Sequence, residues 1–274
     1  MQVDVYGFYH SPWVQAVLLG LHDRGIDHSI TALPPLAFFM SDGISMPAAS
    51  IDGEPWQLES VDILQSVGCD DISAEELQHI ESAWRGVLHR ADNIGSFWGG
   101  FSLSGDQDLN PFVRLLKNYL RSFVALYFYL LIRTINLVAN PKDPENYGDQ
   151  FVYFDKRLSA SNDPYLGGAA PDTLDYLLFG IIQCHCSIYV PPVTALQTDE
   201  RLTALRAWIS RMQQRFEQYP YLYSGLYFPP HKQPPTPDSG INRLAFWLGG
   251  ISMVALFYIT VPLIIFLAIR RRSG

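Results

Sequence analysis

Three short stretches near the N-terminus carry side chains able to bind and activate a small ligand. Ser11 stands immediately before a proline at the expected start of a helix, where free N–H groups and the helix dipole favour an anionic hydroxyl or thiol. Met46-Pro47 precedes a predicted strand, and an X-Pro bond in cis would turn backbone groups outward as a peptide-binding edge. Glu59-Ser60 begins another predicted helix and offers a carboxylate and a hydroxyl to an amino-acid end. Together these stretches predict a cleft for a small thiol peptide.

A small α/β unit must position these residues. The predicted unit begins with a strand over 3–8, a helix over 12–25 and a second strand over 26–33. After a loop, a third strand over 48–53 closes in a turn, and residues 54–68 form a short strand and a helix. The first helix is the clearest, because apolar residues recur at i, i+3, i+4 and i+7 between an initial proline and a terminal glycine.

The pattern becomes helical from residue 71 onward. Ser73 and Glu76 form a capping-box motif at the start of this region, and no long strand-like stretch follows. The sequence therefore predicts an α+β fold class, with an α/β N-terminal domain over 1–70 and an all-helical domain over 71–227.

The order and spacing of these motifs resemble the glutathione transferase superfamily, which joins a thioredoxin-like domain to an all-helical one. The resemblance implies that Ser11 stabilises a thiolate and that Met46 and Pro47 form the cis-proline turn. It also implies that Glu59 and Ser60 hold the γ-glutamyl end of glutathione, which becomes the expected ligand.

The likeness continues in the helical half, at "DPYLGGAAPDTLDYLLFG" over 163–180. This stretch is similar to the one that precedes the buried, capped helix of the superfamily. The resemblance implies that Asp172 is the N-cap of that helix and that Asp175 is its N3 carboxylate.

Two departures bear on activity. Gln15 and Ala16 stand where the superfamily often has an arginine near the peptide, and the loop 41–47 has no lysine to meet the glycyl carboxylate. A serine also needs more activation than a cysteine. Two hypotheses stay open: a degenerate glutathione pocket in a non-catalytic protein, and an active transferase or peroxidase for lipophilic substrates.

Composition excludes several other classes. The net charge is −8, and residues 243–274 hold four arginines and no acid, so residues 1–242 carry −12. Such an acidic body argues against a nucleic-acid partner. Three cysteines without a secretory signal argue against a disulfide framework. Cys184 and Cys186 point to different faces of a helix and lack a second ligand pair, so no metal site is predicted.

The C-terminal end predicts a membrane anchor. Residues 244–269 are uncharged and span roughly 39 Å as a helix, more than the roughly 30 Å hydrocarbon core of a bilayer. A proline-rich linker over 228–243 precedes this predicted transmembrane helix, and a basic tail over 270–274 follows it. The apolar run 122–138 is too short between its flanking arginines to span. We interpret this run as a buried helix or, alternatively, as a face that contacts a membrane or a partner.

The linker, the tail helix and the apolar run resemble the metaxin branch of the superfamily. Metaxins act in membrane-protein import and assembly at the mitochondrial outer membrane. The resemblance implies an accessory or scaffold subunit of a membrane protein complex. Its expected partners are the bilayer, that complex or one of its transmembrane helices, and a second copy of the chain in a homodimer. Because the first residues show no export signal, we expect the folded domain in the cytosol, on the mitochondrial outer membrane of a eukaryote or the inner membrane of a bacterium. By the positive-inside tendency, the three arginines at 270–272 would favour the opposite orientation, so the membrane side of the tail stays open.

Overall fold

The computed structural model describes residues 1–8, 11–31, 34–43, 45–88, 110–139, 146–187, 191–223, 240–259 and 261–262. Four strands form one sheet in the order β2-β1-β3-β4: β1 (Gln2–Tyr6), β2 (Asp27–Thr31), β3 (Ala48–Ile51) and β4 (Gln57–Leu58). The helices of this half are α1 (Pro12–Asp23), α2 (Leu36–Asp42) and α3 (Ser60–Ser66).

The sheet is mixed and covered on both faces. β1 pairs with β2 in parallel and with β3 in antiparallel register, and β4 extends the antiparallel side. Val3 and Val5 join the main core with α1, whereas Tyr6 and Ala48 pack with Phe38 of α2 in a second cluster. Alternate residues of β1 therefore pack on opposite faces of the sheet, as expected for a strand with a side-chain period of two.

The helix α2 lies where the sequence predicted a loop. Its N-cap residue is Pro35, and no side chain caps it within the described segment. Phe38 is buried at a ring-centroid distance of 5.6 Å from Tyr6, so packing against the sheet holds this turn of helix. The sequence lacked the polar cap that marks a helix start, and tertiary contact decided the conformation.

The second half is helical, which confirms the α/β and all-helical parts of the predicted fold class. Its helices are α4 (Ala74–Leu88), α5 (Pro111–Ala139), α6 (Val152–Ala160), α7 (Thr173–Ser187), α8 (Pro191–Thr198) and α9 (Thr203–Arg215), with short 3-10 turns at Tyr147–Gln150 and Glu200–Leu202. The predicted capping box before α4 is formed, because the Ser73 N–H donates to Glu76 Oε2 over 2.8 Å and the Glu76 N–H donates to Ser73 Oγ over 3.2 Å. The apolar run 122–138 belongs to α5, which begins eleven residues earlier.

A last helix, α10 (Gly240–Ala255), packs along α5. The predicted transmembrane helix over 244–269 begins within α10 and continues into residues outside the described part. Most of the predicted linker and the whole basic tail also lie outside the described residues. Among the helices that the structure describes, none has the length and apolar character needed to cross a membrane.

Candidate functional site

Strand register gathers the three predicted stretches at one end of the sheet. Tyr6 pairs with Ala48, and Ala48 pairs with Leu58. Pro47 precedes this row of pairs and Glu59 follows it, so both leave the sheet at the same end, where β1 also turns toward α1. Neighbours across paired strands are about 5 Å apart, which puts the cis-proline turn beside the start of α3.

The turn at Met46 and Pro47 lies against α1. The peptide bond between these two residues is cis. Gly7, at a φ of +148°, closes the gap between strand and helix, since a Cβ on it would stand 2.5 Å from Val14 Cγ2 and 3.3 Å from Met46 Cβ. Only glycine allows this close approach, and the approach aligns the turn with the first part of α1.

Glu59 has an unusual backbone conformation. Its φ is 68° and its ψ is 121°, a region that residues other than glycine rarely adopt. Such conformations concentrate at functional sites because the surrounding structure must enforce them. Ser60 follows as the first residue of α3 and is 7% exposed. The backbone therefore fixes where the side chains of Glu59 and Ser60 begin.

Ser11 is the N-cap residue of α1 and is 8% exposed. Its backbone N–H donates to Phe8 O over 2.8 Å, and its carbonyl accepts from the Gln15 N–H over 2.8 Å. In the described helix the Ser11 hydroxyl makes no capping hydrogen bond to the backbone. The hydroxyl therefore keeps its hydrogen-bonding capacity for a ligand at the positive end of the helix dipole.

The helical half closes one side of this site. α7 crosses the first turn of α1 at Gly180, where a Cβ would stand 2.3 Å from Pro12 O. Trp13 of α1 meets Trp84 of α4 edge to face, with ring centroids 6.0 Å apart. The predicted site thus lies where the two halves of the chain meet.

Gln15 has a role that the sequence did not indicate. Its side chain is fully buried and binds the backbone of a C-terminal segment more than 200 residues away. Gln15 Nε2 donates to Tyr221 O over 2.8 Å, and Gln15 Oε1 accepts from the Tyr223 N–H over 3.0 Å. Gln183 of α7 donates to Tyr223 O over 2.5 Å. The residue that departs from the superfamily pattern therefore clamps this chain's own C-terminal segment, one turn from Ser11.

Asp175 accepts hydrogen bonds from several parts of the helical half. Its carboxylate accepts from Trp208 Nε1 over 2.7 Å and from the N–H groups of Leu166, Gly167 and Asp172 over 2.9, 2.7 and 3.2 Å. The bond from Asp172 is the N3-to-N-cap half of a capping box.

The carboxylate of Asp172 points toward the N-terminal half. It accepts from the Asp70 N–H over 2.7 Å and from Arg24 Nη2 over 3.0 Å, in addition to the Thr173 N–H over 2.7 Å. The predicted cap residue therefore also ties the two halves together.

Cysteine and metal chemistry find no support in the described part of the chain. Burial raises the pKa of Cys69 to about 11 and that of Cys184 to about 12, so both stay protonated near neutral pH. Burial also raises the pKa of Tyr6 to about 12, so its phenol stays neutral. Among the residues described, no three His, Cys, Asp or Glu side chains are grouped as metal ligands.

The structure thus has a thioredoxin-type α/β unit with its candidate site at the junction with a helical unit. Solved glutathione transferases are similar to this chain. One from Methylococcus capsulatus strain Bath has 14% identity and a TM-score of 0.41, over 91% of this chain and 99% of that one. One from Bombyx mori has 12% identity and a TM-score of 0.43, over 91% and 97%.

A glutathione S-transferase solved with lactoylglutathione has 16% identity and a TM-score of 0.38, over 78% of this chain and 94% of that one. No protein-family model and no curated protein sequence matches the chain. At these identities and TM-scores, nothing about the ligand or the activity of this chain follows from the likeness.

Proposed function

We propose that this chain is a glutathione-transferase-like protein that attaches to a membrane through its C-terminal region and serves there as an accessory or scaffold subunit of a protein complex, as in the metaxin branch. The observation that carries the proposal is the apolar surface of α10. Large apolar side chains stand exposed along it at Ile241, Leu244, Trp247, Leu248, Ile251 and Val254. Soluble proteins rarely leave such a continuous apolar surface uncovered, so it marks a contact with lipid or protein.

The proposed glutathione site has some of the groups that the peptide would need. Ser60 and the adjacent end of α3 suit the γ-glutamyl carboxylate, the Glu59 carboxylate suits the ammonium group, and the turn at Pro47 offers a backbone edge to the cysteinyl part. Residues 1–60 contain seven acidic residues and only one Lys or Arg, which is Arg24. Arg24 follows the far end of α1 and binds Asp172. This charge balance opposes a peptide of net negative charge, so we propose a degenerate pocket that holds glutathione weakly and does not turn it over.

One observation favours a second function, a membrane-tethered glutathione transferase or peroxidase for lipophilic substrates. The hydroxyl of Ser11 lies at the start of α1, at the same end of the sheet as the cis-proline turn and Glu59, and it is not used to cap the described helix. A thiolate placed at this helix end would gain from the dipole and from the serine hydrogen bond.

Purification of the full chain from its native membrane in mild detergent tests the accessory role. We expect the protein to remain in the membrane fraction after a salt wash and to elute in a complex larger than a dimer. Replacing Leu244, Leu248 and Ile251 by serine should release it. The matched control is Leu36→Ser, on the exposed surface of α2. A chain that always elutes as a monomer or a self-dimer would refute the accessory role.

Glutathione retention and turnover separate the two functions. A degenerate pocket predicts weak retention on immobilised glutathione and no conjugation or peroxide reduction. If the protein is an enzyme, Ser11→Ala should reduce turnover at least tenfold. The serine hydroxyl would stabilise the glutathione thiolate by about 1.5–3 kcal/mol through a hydrogen bond that the variant lacks. Turnover that survives Ser11→Ala would exclude the role assigned to this serine.

A further inference from the structure

Two stretches of this chain contain cations but no acids. Of its 19 Lys and Arg residues, four lie in α5 and four in 240–274, and these two stretches contain no Asp or Glu. The rest of the chain has eleven Lys and Arg residues against all 27 acids. α5 thus carries four cations and α10 carries one, Arg243, while the other three are Arg270, Arg271 and Arg272; neither helix contains an acid, and the rest of the chain is strongly acidic.

We propose that α5 and α10 together form a membrane-binding unit that lies against an anionic bilayer surface, so that α10 is not a lone anchor at the end of a spacer. This inference rests on the membrane attachment proposed above and names the surface that makes it.

The two helices are packed closely enough to move as one. At Gly249 of α10 a Cβ would stand 2.2 Å from Tyr119 O and 2.9 Å from Ser122 Cβ, so the backbones approach as only glycine allows. Arg121 is 2% exposed and its guanidinium carbon lies 5.3 Å from the ring centre of Phe246. Such a cation–π contact, desolvated between two helices, specifies their register.

The helix pair also packs against the rest of the protein. Phe246 of α10 and Ala125 of α5 belong to the same hydrophobic core cluster as α1 and α7. The buried face of α10 follows the helical period at Asn242, Phe246, Gly249 and Met253. Whatever binds the outer face of α10 therefore also holds the folded body.

The outer surface of the pair combines exposed apolar side chains with cations. On α5, Phe112 and Leu116 are exposed one turn apart, and the partly exposed Lys117 follows about a quarter of a turn from Leu116. On α10, Arg243 is exposed beside the apolar row. Helices that lie at a membrane interface have this composition, with apolar side chains for the acyl boundary and Lys or Arg for anionic headgroups.

Lipid fits this surface better than a protein partner does. Beyond α10 the sequence stays uncharged to Ile269 and then ends in three arginines before Ser273 and Gly274. A long apolar continuation followed by cations matches the hydrocarbon and the headgroups of a bilayer. The absence of any acid from both stretches also matches a surface of uniformly negative charge.

Fluorophores attached to single introduced cysteines test this arrangement on the full-length chain. Leu116→Cys on α5 and Leu248→Cys on α10 report on the pair, and Leu36→Cys on α2 is the control, since all three leucines are exposed. The three native cysteines are buried, so labelling of the unmodified chain gives a low background. The labelled proteins are reconstituted into vesicles of phosphatidylcholine and phosphatidylglycerol that carry a lipid-borne quencher.

We expect quenching and a blue shift at positions 116 and 248, and neither at position 36. Lys117→Gln should reduce the quenching at 116, whereas Lys156→Gln on the exposed surface of α6 should leave it unchanged. Vesicles of phosphatidylcholine alone should also reduce quenching at 116.

Other outcomes overturn the inference. Quenching at 248 without quenching at 116 means that the tail binds alone, and membrane attachment then survives without the two-helix unit. Shielding of both labels before vesicles are added means that copies of the chain cover this face. A chain that does not float with vesicles refutes both this inference and the attachment on which it rests.

Discussion

Replacing Glu59 by glycine is expected to relieve backbone strain and to weaken the binding of glutathione. With φ at 68° and ψ at 121°, this residue occupies a region that costs a residue other than glycine about 1–3 kcal/mol. Glycine removes that cost but lowers stability by about 0.5–1 kcal/mol, because it frees the unfolded chain. The backbone contribution should therefore favour glycine by about 1 kcal/mol.

A matched variant separates the backbone from the side chain. Glu59→Ala and Glu59→Gly both remove the carboxylate, but only glycine relieves the backbone. The difference between their free energies of unfolding therefore measures the strain less the entropic cost of glycine, whatever the side chain contacts. Both variants should lose about tenfold or more in glutathione affinity, the effect of one charged hydrogen bond of about 1.5–3 kcal/mol.

Urea unfolding of both variants in the same detergent measures the first quantity, and titration calorimetry with glutathione measures the second. Equal stability of the two variants would show that the strain at Glu59 does not exceed the cost of glycine, about 0.5–1 kcal/mol. Wild-type affinity in both would show that its carboxylate does not hold the ligand. The two failures are independent, so each part of the reasoning is tested by itself.

Three further predictions concern buried polar groups. Gln15→Leu should lower the free energy of unfolding by about 2–4 kcal/mol in urea melts, since two backbone groups of the C-terminal segment lose their partner; a change within experimental error would contradict the clamp. Asp175→Ala should lower it by about 4 kcal/mol, because four N–H donors lose their acceptor, whereas the exposed Asp163→Ala should change it by less than about 0.5 kcal/mol. Burial lowers the pKa of His185 from 6.5 to about 4. The neutral imidazole therefore makes its full contribution to the free energy of unfolding above pH 6.5, and about 3 kcal/mol is lost as the pH falls toward 4. Urea melts of His185→Gln between about pH 7 and pH 4.5 should show a flatter acid limb, and an unchanged slope would exclude this histidine as its cause.

Local patterns in the sequence predicted much of the N-terminal half. The strands, α1 and the capping box before α4 depend on side chains within a few residues of one another, so spacing alone reveals them. The same holds for the position of Ser11 before α1. The cis bond at Pro47, which the resemblance implied, is present in the structure. What those residues bind stays a prediction.

The missed features all depend on contacts between distant parts of the chain. The helix α2 forms because Phe38 packs under the sheet, and no local cap announced it. Gln15 looked like a lost arginine, but its amide holds a segment more than 200 residues away. No window of sequence contains both partners of such a contact, so periodicity and motifs could not predict it.

The C-terminal end shows most clearly what the sequence determines and what the tertiary structure determines. By itself the sequence determined a long uncharged segment with arginines at its end, because composition and length depend on nothing else in the chain. Only the tertiary structure decided that α10 packs on α5, since this needs Gly249 to meet the backbone at Tyr119 and Phe246 to meet Arg121. Helix pairing requires two complementary surfaces, and each surface exists only once both helices have folded.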